Sequence, residues 1–313
     1  MNSNNRSTLF TDKWQRLSAI VNQHPTIAEC SLATQSRKLF IYRLLAENSL
    51  VFLLQYIGLM FSTLTSYFSP IWFASGTACA FIFLRGYSIL PGIGLGSFFA
   101  YYLSKATFLL SVSCAAVYTA QAFLLLYLSY RYISPTLIFY RRLLFIKFVV
   151  CASGITAFSS IALSLLCYST LKFALSWWLA NLNGVLIVAF ALIAFDTYFP
   201  EMHALKKINQ YKLVLLYGFL FFCTIGFLMS EQFFTIFLFS LLTLFFIVAI
   251  SANFGWFGAI SALFLVGFFA TLMVYFNMTI FSIIFLQTVL IVETLVGFFT
   301  ANRVFPVFVE VMY

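Results

Sequence analysis

The sequence predicts an all-α integral membrane protein: a polytopic bundle of about ten transmembrane helices with both termini in the cytoplasm. Three observations carry that prediction. Of 313 residues, 63% are apolar and 8% charged, and the mean hydropathy is +1.03, whereas a soluble domain carries about 25% charged residues. The apolar residues fall in continuous runs of about 20, the length of a helix that crosses ~30 Å of hydrocarbon. Barrel strands instead alternate apolar with polar over about ten residues. Finally, Lys and Arg are segregated between alternate loops, as the retention of positive charge in the cytoplasm requires. A secreted enzyme, a cytosolic dinucleotide-binding fold and a disulfide scaffold are excluded.

Residues 1–46 read as a cytoplasmic N-terminal segment. It lacks the short apolar core and cleavage site of a signal peptide. Phe10, Trp14, Leu17, Ile20 and Val21 recur there at helical spacing beside Arg6, Lys13 and Arg16, the pattern of a basic amphipathic helix in the headgroup region. The membrane domain, 47–300, holds ten apolar runs: 48–67, 70–84, 87–104, 107–129, 144–167, 174–196, 212–230, 233–252, 256–276 and 279–299. The second is short and starts at Pro70, as a proline at a helix start does. Residues 301–313 form a short cytoplasmic tail. Alternation of these runs puts fifteen of the seventeen Lys and Arg on the inner side and only Lys105 and Lys172 on the outer. With so little chain between spans, any external stimulus is met at membrane depth or in a shallow vestibule.

Cys30, Cys79, Cys114, Cys151, Cys167 and Cys223 show no CxxC pair, and His24 and His203 have no nearby ligand partner. No metal and no cofactor is expected, and the cysteines read as small buried apolar residues. The net charge of +9 sits in short inter-span clusters and so sets topology rather than binding nucleic acid.

Several motifs stand out from the apolar background. Ser69-Pro70-Ile71-Trp72-Phe73-Ala74-Ser75-Gly76 precedes the short second helix, and Arg85-Gly86 reads as a tight cytoplasmic turn. Gly92, Gly94 and Gly96 give the third helix a strip without side chains, along which backbones approach closely. A phosphate loop is excluded, because no strand precedes the glycines and no GK[ST] follows. Ser176-Trp177-Trp178-Leu179-Ala180-Asn181-Leu182-Asn183-Gly184 opens the sixth run. Its tryptophans suit a headgroup boundary, and its amides need partners inside the membrane. Gln55, Gln121, Gln287 and Glu293 are further polar groups within spans; a carboxylate there costs about 2.5–3.5 kcal/mol on insertion scales, so Glu293 calls for a partner or a wet cavity.

These blocks, with Leu84-Arg85-Gly86, Pro91-Gly92-Ile93-Gly94-Leu95-Gly96, the run from Phe254 to Ala270 and that from Leu286 to Phe299, resemble MASE1, a bacterial integral membrane sensory domain. The resemblance covers about 48–305. Trp72 and Gly76 match the family's tryptophan and glycine after the first span, Gly86 and Pro91 its glycine and proline, and Trp178 and Gly184 its WW…G block. The chain departs from the family at Ala180-Asn181, where Gly-Asp is usual, and near Phe190, where a proline is usual. The asparagine keeps hydrogen bonding without charge.

The resemblance implies a multi-pass sensory module of the bacterial inner membrane, in contact with lipid. A small ligand, its identity unspecified, would bind among the outer halves of the helices. The candidate ligand contacts are Trp72, Gln121, Trp177, Trp178, Asn181, Asn183, Gln287 and Glu293. Members of the family are joined to kinase or cyclase output domains. Here the residues after the last span, broken by Pro306, are too few for a dimerising coiled coil. The expected output partner is therefore a histidine kinase or cyclic-dinucleotide enzyme in trans. The alternative is a small-molecule transporter, which the short second span favours and the lack of an internal repeat disfavours. No nucleophile elbow, HExxH, kinase or cyclase signature is present, so no enzymatic activity is expected.

Overall fold

The computed structural model describes residues 30–64, 69–133, 142–167, 169–193, 216–221, 233–274 and 280–311. The expected amphipathic helix around Phe10–Val21, and Cys223, lie outside these residues. The chain divides into two compact units, Met1–Ala46 and Glu47–Tyr313. In the first, residues 30–46 form the opening turns of a helix, α1 (Cys30–Leu64).

The described residues are overwhelmingly helical, with no strand among them, as the apolar runs require. After α1 come α2 (Phe73–Arg85), a 3₁₀ turn (Gly86–Ile89) and α3 (Leu90–Leu103). Then follow α4 (Phe108–Tyr132), α5 (Arg142–Leu166) and α6 (Leu171–Asn183), which continues into a π-helical turn, Gly184–Ala189. The last are α7 (Phe233–Val274), broken at Gly255, and α8 (Ile280–Val311). Six helical segments are long and apolar enough to cross a bilayer, and the shorter apolar helices Ser240–Trp256 and Gly258–Thr271 make up α7. Side chains such as Phe108, Leu109, Val150, Phe158 and Leu165 stand exposed around the bundle, where a soluble protein would carry charge and a membrane protein meets lipid.

Two glycines with positive φ reverse the chain. Gly86 has φ 73° and Gly255 φ 59°, in a region that strains residues bearing a Cβ. At Gly86 the reversal wraps α2 and α3 around α1. Gly58 lies against the Ala74 backbone, Gln55 Nε2 donates to Ser97 Oγ at 3.0 Å, and Arg85 pairs with Glu47 at 3.3 Å. Thus α2 runs antiparallel to α1, and α3 returns parallel to it. The expected turn at Arg85-Gly86 is observed. The glycine strip of α3 is divided between two neighbours: Gly92 and Gly96 lie against the Asn48 and Phe52 carbonyls of α1, while Gly94 faces Thr119 of α4.

At Gly255 the same kind of reversal wraps the two arms of α7 around α8. Thr243 and Ile247 meet Glu293 and Gly297 in parallel, and after the break Trp256 packs on Phe298 with ring centroids 4.0 Å apart. The helices α2, α6 and α8 run the same way, since Trp72 N–H donates to the Ala180 carbonyl at 2.9 Å, Gly76 packs on Gly184, and Phe190 meets Phe298. Glu47 and Ala301 therefore lie at one end of the bundle, with Arg85, Arg131 and Lys147. Lys105 and Lys172 lie at the other.

Candidate functional site

The site forms around four residues that are not helical. Ser69-Pro70-Ile71-Trp72 enters the bundle as a non-helical segment that bends at Pro70 and Ile71 and becomes extended at Trp72, φ −92° and ψ 91°. Proline has no N–H to donate and disfavours helix in the residue before it. Ser69, Ile71 and Trp72 are about 1% exposed, and their backbone groups cannot reach water. Inside lipid each such group needs an internal partner.

The partners are amide side chains from α6 and α8. Asn183 Nδ2 donates to the Pro70 carbonyl at 3.2 Å and to the Gln287 carbonyl at 3.0 Å. Gln287 Nε2 donates to the Ser69 carbonyl at 3.0 Å and to the Ser176 carbonyl and hydroxyl, each at 3.1 Å. Asn181 Nδ2 donates to Ser160 Oγ of α5 at 3.1 Å. Glycine completes the fit, because a Cβ on Gly184 would strike the Trp72 carbonyl and one on Gly76 would strike Gly184. The π-helical turn begins at Gly184, directly after Asn183; such turns widen a helix and occur frequently at functional sites.

The nitrogens of these amides are engaged, and the oxygens are not. Asn181 Oδ1, Asn183 Oδ1 and Gln287 Oε1 are buried without a hydrogen-bond partner among the described residues, as is Trp177 Nε1. Trp72 and Trp177 pack with ring centroids 5.4 Å apart, and Trp72 lies beside the Tyr118 hydroxyl. Buried polar atoms are rarely left unpaired, since each costs about 1–3 kcal/mol. Asn181, Asn183 and Gln287 thus each carry a buried acceptor oxygen without a partner among the described residues, beside a pair of packed indole rings. The site holds no carboxylate.

Of the eight expected contacts, Trp72, Trp177, Asn183 and Gln287 come together here, and the Asn181 side chain joins α6 to Ser160 of α5 beside them. The other three lie apart. Trp178 turns to α5, where its Nε1 donates to the Ser153 carbonyl at 3.0 Å. Gln121, 5% exposed on α4, has an unpartnered Oε1 and no hydrogen bond to the cluster. Glu293 lies further along α8, where Oε1 is 2.6 Å from the Thr243 hydroxyl. Ser69 and Ser176 open two of the quoted motifs but are not marked there as acceptors, and Ser160 carries no sequence signal, being a small hydroxyl residue in an apolar run like many others in the chain. No group of three or more His, Cys, Asp or Glu is placed to hold a metal among the described residues.

A family model described as MASE1 matches residues 44–304, spanning the whole of this site. No curated protein gives a significant match, and neither does any solved structure.

Proposed function

The chain belongs to the MASE1 family, a family of membrane-embedded sensory domains, and from that premise we propose that it detects a small polar molecule at the Trp72–Trp177–Asn181–Asn183–Gln287 cluster. The observation that carries this reading is the division of labour within the amides. The N–H groups of Asn183 and Gln287 hold residues 69–72 and that of Asn181 holds α5, while all three carbonyl oxygens have no partner among the described residues. A ligand donating to oxygens on both helices bridges α6 and α8. It therefore favours one packing of these helices over another, which is how a binding event becomes a signal.

Ten crossings, with both termini in the cytoplasm of a bacterial inner membrane, complete the proposal. The directions of the described helices support it, because Glu47 and Ala301 share an end that also carries Arg85, Arg131 and Lys147. The last turns of α8 emerge at that end and would meet a histidine kinase or cyclic-dinucleotide enzyme in trans. No enzymatic role is proposed.

A thermal-shift screen of the purified protein against small amines, amides and polyols tests the reading. Stabilisation by a solute, reduced by Asn181→Ala, supports it. Accumulation of that solute inside sealed vesicles would overturn the sensory assignment in favour of transport.

A further inference from the structure

Glu293 lies outside the amide cluster, and the sensory reading makes no use of it. Its side chain is 1% exposed within the apolar span Ser282–Ala301. Oε1 lies 2.6 Å from Thr243 Oγ1, and Thr243 Oγ1 lies 3.0 Å from the Ser240 carbonyl oxygen. Oε2 is buried with no hydrogen-bond partner among the described residues.

No described cation faces this carboxyl. The arms of α7 that enclose it, Phe233–Val274, contain no Asp, Glu, Lys, Arg, His, Cys or Tyr, and neither does Gly184–Ala189. On α8 no other titratable residue occurs between Ile280 and Ala301. Lys172, the one charged residue of α6, is exposed at the opposite end of the bundle. Tyr217 is engaged with Ser261. The titratable groups of α5 nearest this end are Lys147, which is exposed, and Cys151, which is half-buried.

Counting hydrogens decides the state of the pair. The Thr243 hydroxyl has one hydrogen and two close acceptors, the Ser240 carbonyl and Glu293 Oε1. A carbonyl only accepts, and helical threonine hydroxyls commonly donate to the carbonyl three or four residues back. If Glu293 were ionised, one of the two contacts would place lone pair against lone pair. If Glu293 carries a proton on Oε1, it donates to Thr243, which in turn donates to Ser240, and both contacts are supplied. Oε2 is then the carbonyl oxygen of a neutral acid, far less costly to bury unpaired than an anionic oxygen.

We infer that Glu293 and Thr243 form a proton-binding site at the seam between the first arm of α7 and α8, with the bound proton closing a chain from Glu293 through Thr243 to the Ser240 carbonyl. The ligand is a proton, and the site stands whether or not the amide cluster binds a solute. Loss of the proton leaves the Thr243 hydroxyl with one hydrogen for two acceptors, so it must release either Glu293 or the Ser240 carbonyl, and the seam responds to protonation.

Infrared difference spectroscopy of the full chain in lipid at neutral pH tests this. The wild type minus Glu293→Gln spectrum is expected to show the carbonyl stretch of a hydrogen-bonded carboxylic acid, shifted by deuterium exchange and unaffected by sodium. A carboxylate band at that position instead, or loss of the acid band on adding sodium at constant pH, overturns the inference. Should the Gln variant fail to fold, Thr243→Val serves: the acid carbonyl is expected to move to the frequency of a free acid. An unmoved band would overturn the assignment.

Discussion

Asn183 and Gln287 hold each other in place: Asn183 Nδ2 donates to the Gln287 backbone carbonyl at 3.0 Å, while the Gln287 side chain reaches past it to Ser69 and Ser176. One amide from α6 and one from α8 thus anchor the same non-helical segment. Each spans two elements.

Asn183→Ala removes the donor to Pro70 and Gln287 and leaves the Pro70 carbonyl unpaired inside lipid. A cost of about 1–2 kcal/mol is expected, at the upper end for interhelical hydrogen bonds in membranes. Asn183→Asp replaces the donor with a buried carboxylate and is expected to cost more. Unfolding temperatures in detergent check the order wild type, Ala, Asp. An Asp variant as stable as wild type would show that the amide nitrogen is not what holds Pro70.

Gly76→Ala and Gly184→Ala each place a methyl group against backbone, at Gly184 and Trp72 respectively. Backbone cannot rotate away as a side-chain tip can, so overpacking costs of about 1–3 kcal/mol or more are expected. Gly154→Ala, with nothing within 4 Å of its Cβ, is expected to be neutral or mildly stabilising. Yields of monodisperse protein for the three variants measure this.

Trp177→Phe keeps an aromatic ring against Trp72 and Phe173 but removes the indole N–H and one fused ring from a position 2% exposed. It is expected to weaken binding of any stabilising solute by about tenfold, one hydrogen bond's worth at ~1.4 kcal/mol, and the cavity it leaves lowers the ligand-free unfolding temperature as well. Trp178→Phe removes the bond to Ser153 instead. Stability should fall while solute affinity holds. Titration by tryptophan fluorescence separates the two.

Gly86→Ala and Gly255→Ala meet no neighbouring atom, yet both positions have positive φ. Strain of about 1–2 kcal/mol is expected at each from the left-handed backbone alone. Because both turns are exit points of a helical hairpin, the variants should lower thermal stability without altering solute binding. Equal stability to wild type would mean that the chain reverses in some other way.

The amides of the site are legible in the sequence as polar groups needing partners, Asn181, Asn183 and Gln287 among them, while Trp177 reads as a boundary tryptophan and Trp72 stands out by the family motif. What the amides bond to is not. A sequence places Gln287 over a hundred residues from both Ser69 and Ser176, and nothing in an apolar run marks one serine among many as its acceptor. Trp178 lies apart from Trp177 because adjacent helical residues point about 100° apart, and it bonds Ser153 instead. Glu293, six residues from Gln287, lies about 9 Å further along α8 and meets Thr243 on a different helix arm.

Composition alone made this an all-α membrane protein, because long uncharged runs have no stable place except lipid, and lipid admits few backbones other than helix. The reversal at Arg85-Gly86 is also written locally, whereas that at Gly255 emerged from its backbone conformation, φ 59°. Which polar atoms became partners, and which amide oxygens stayed open, was settled only when α6 and α8 closed around residues 69–72. Hydrogen bonding depends on positions to within tenths of an ångström between segments far apart in the chain, and only the packed helices fix such distances.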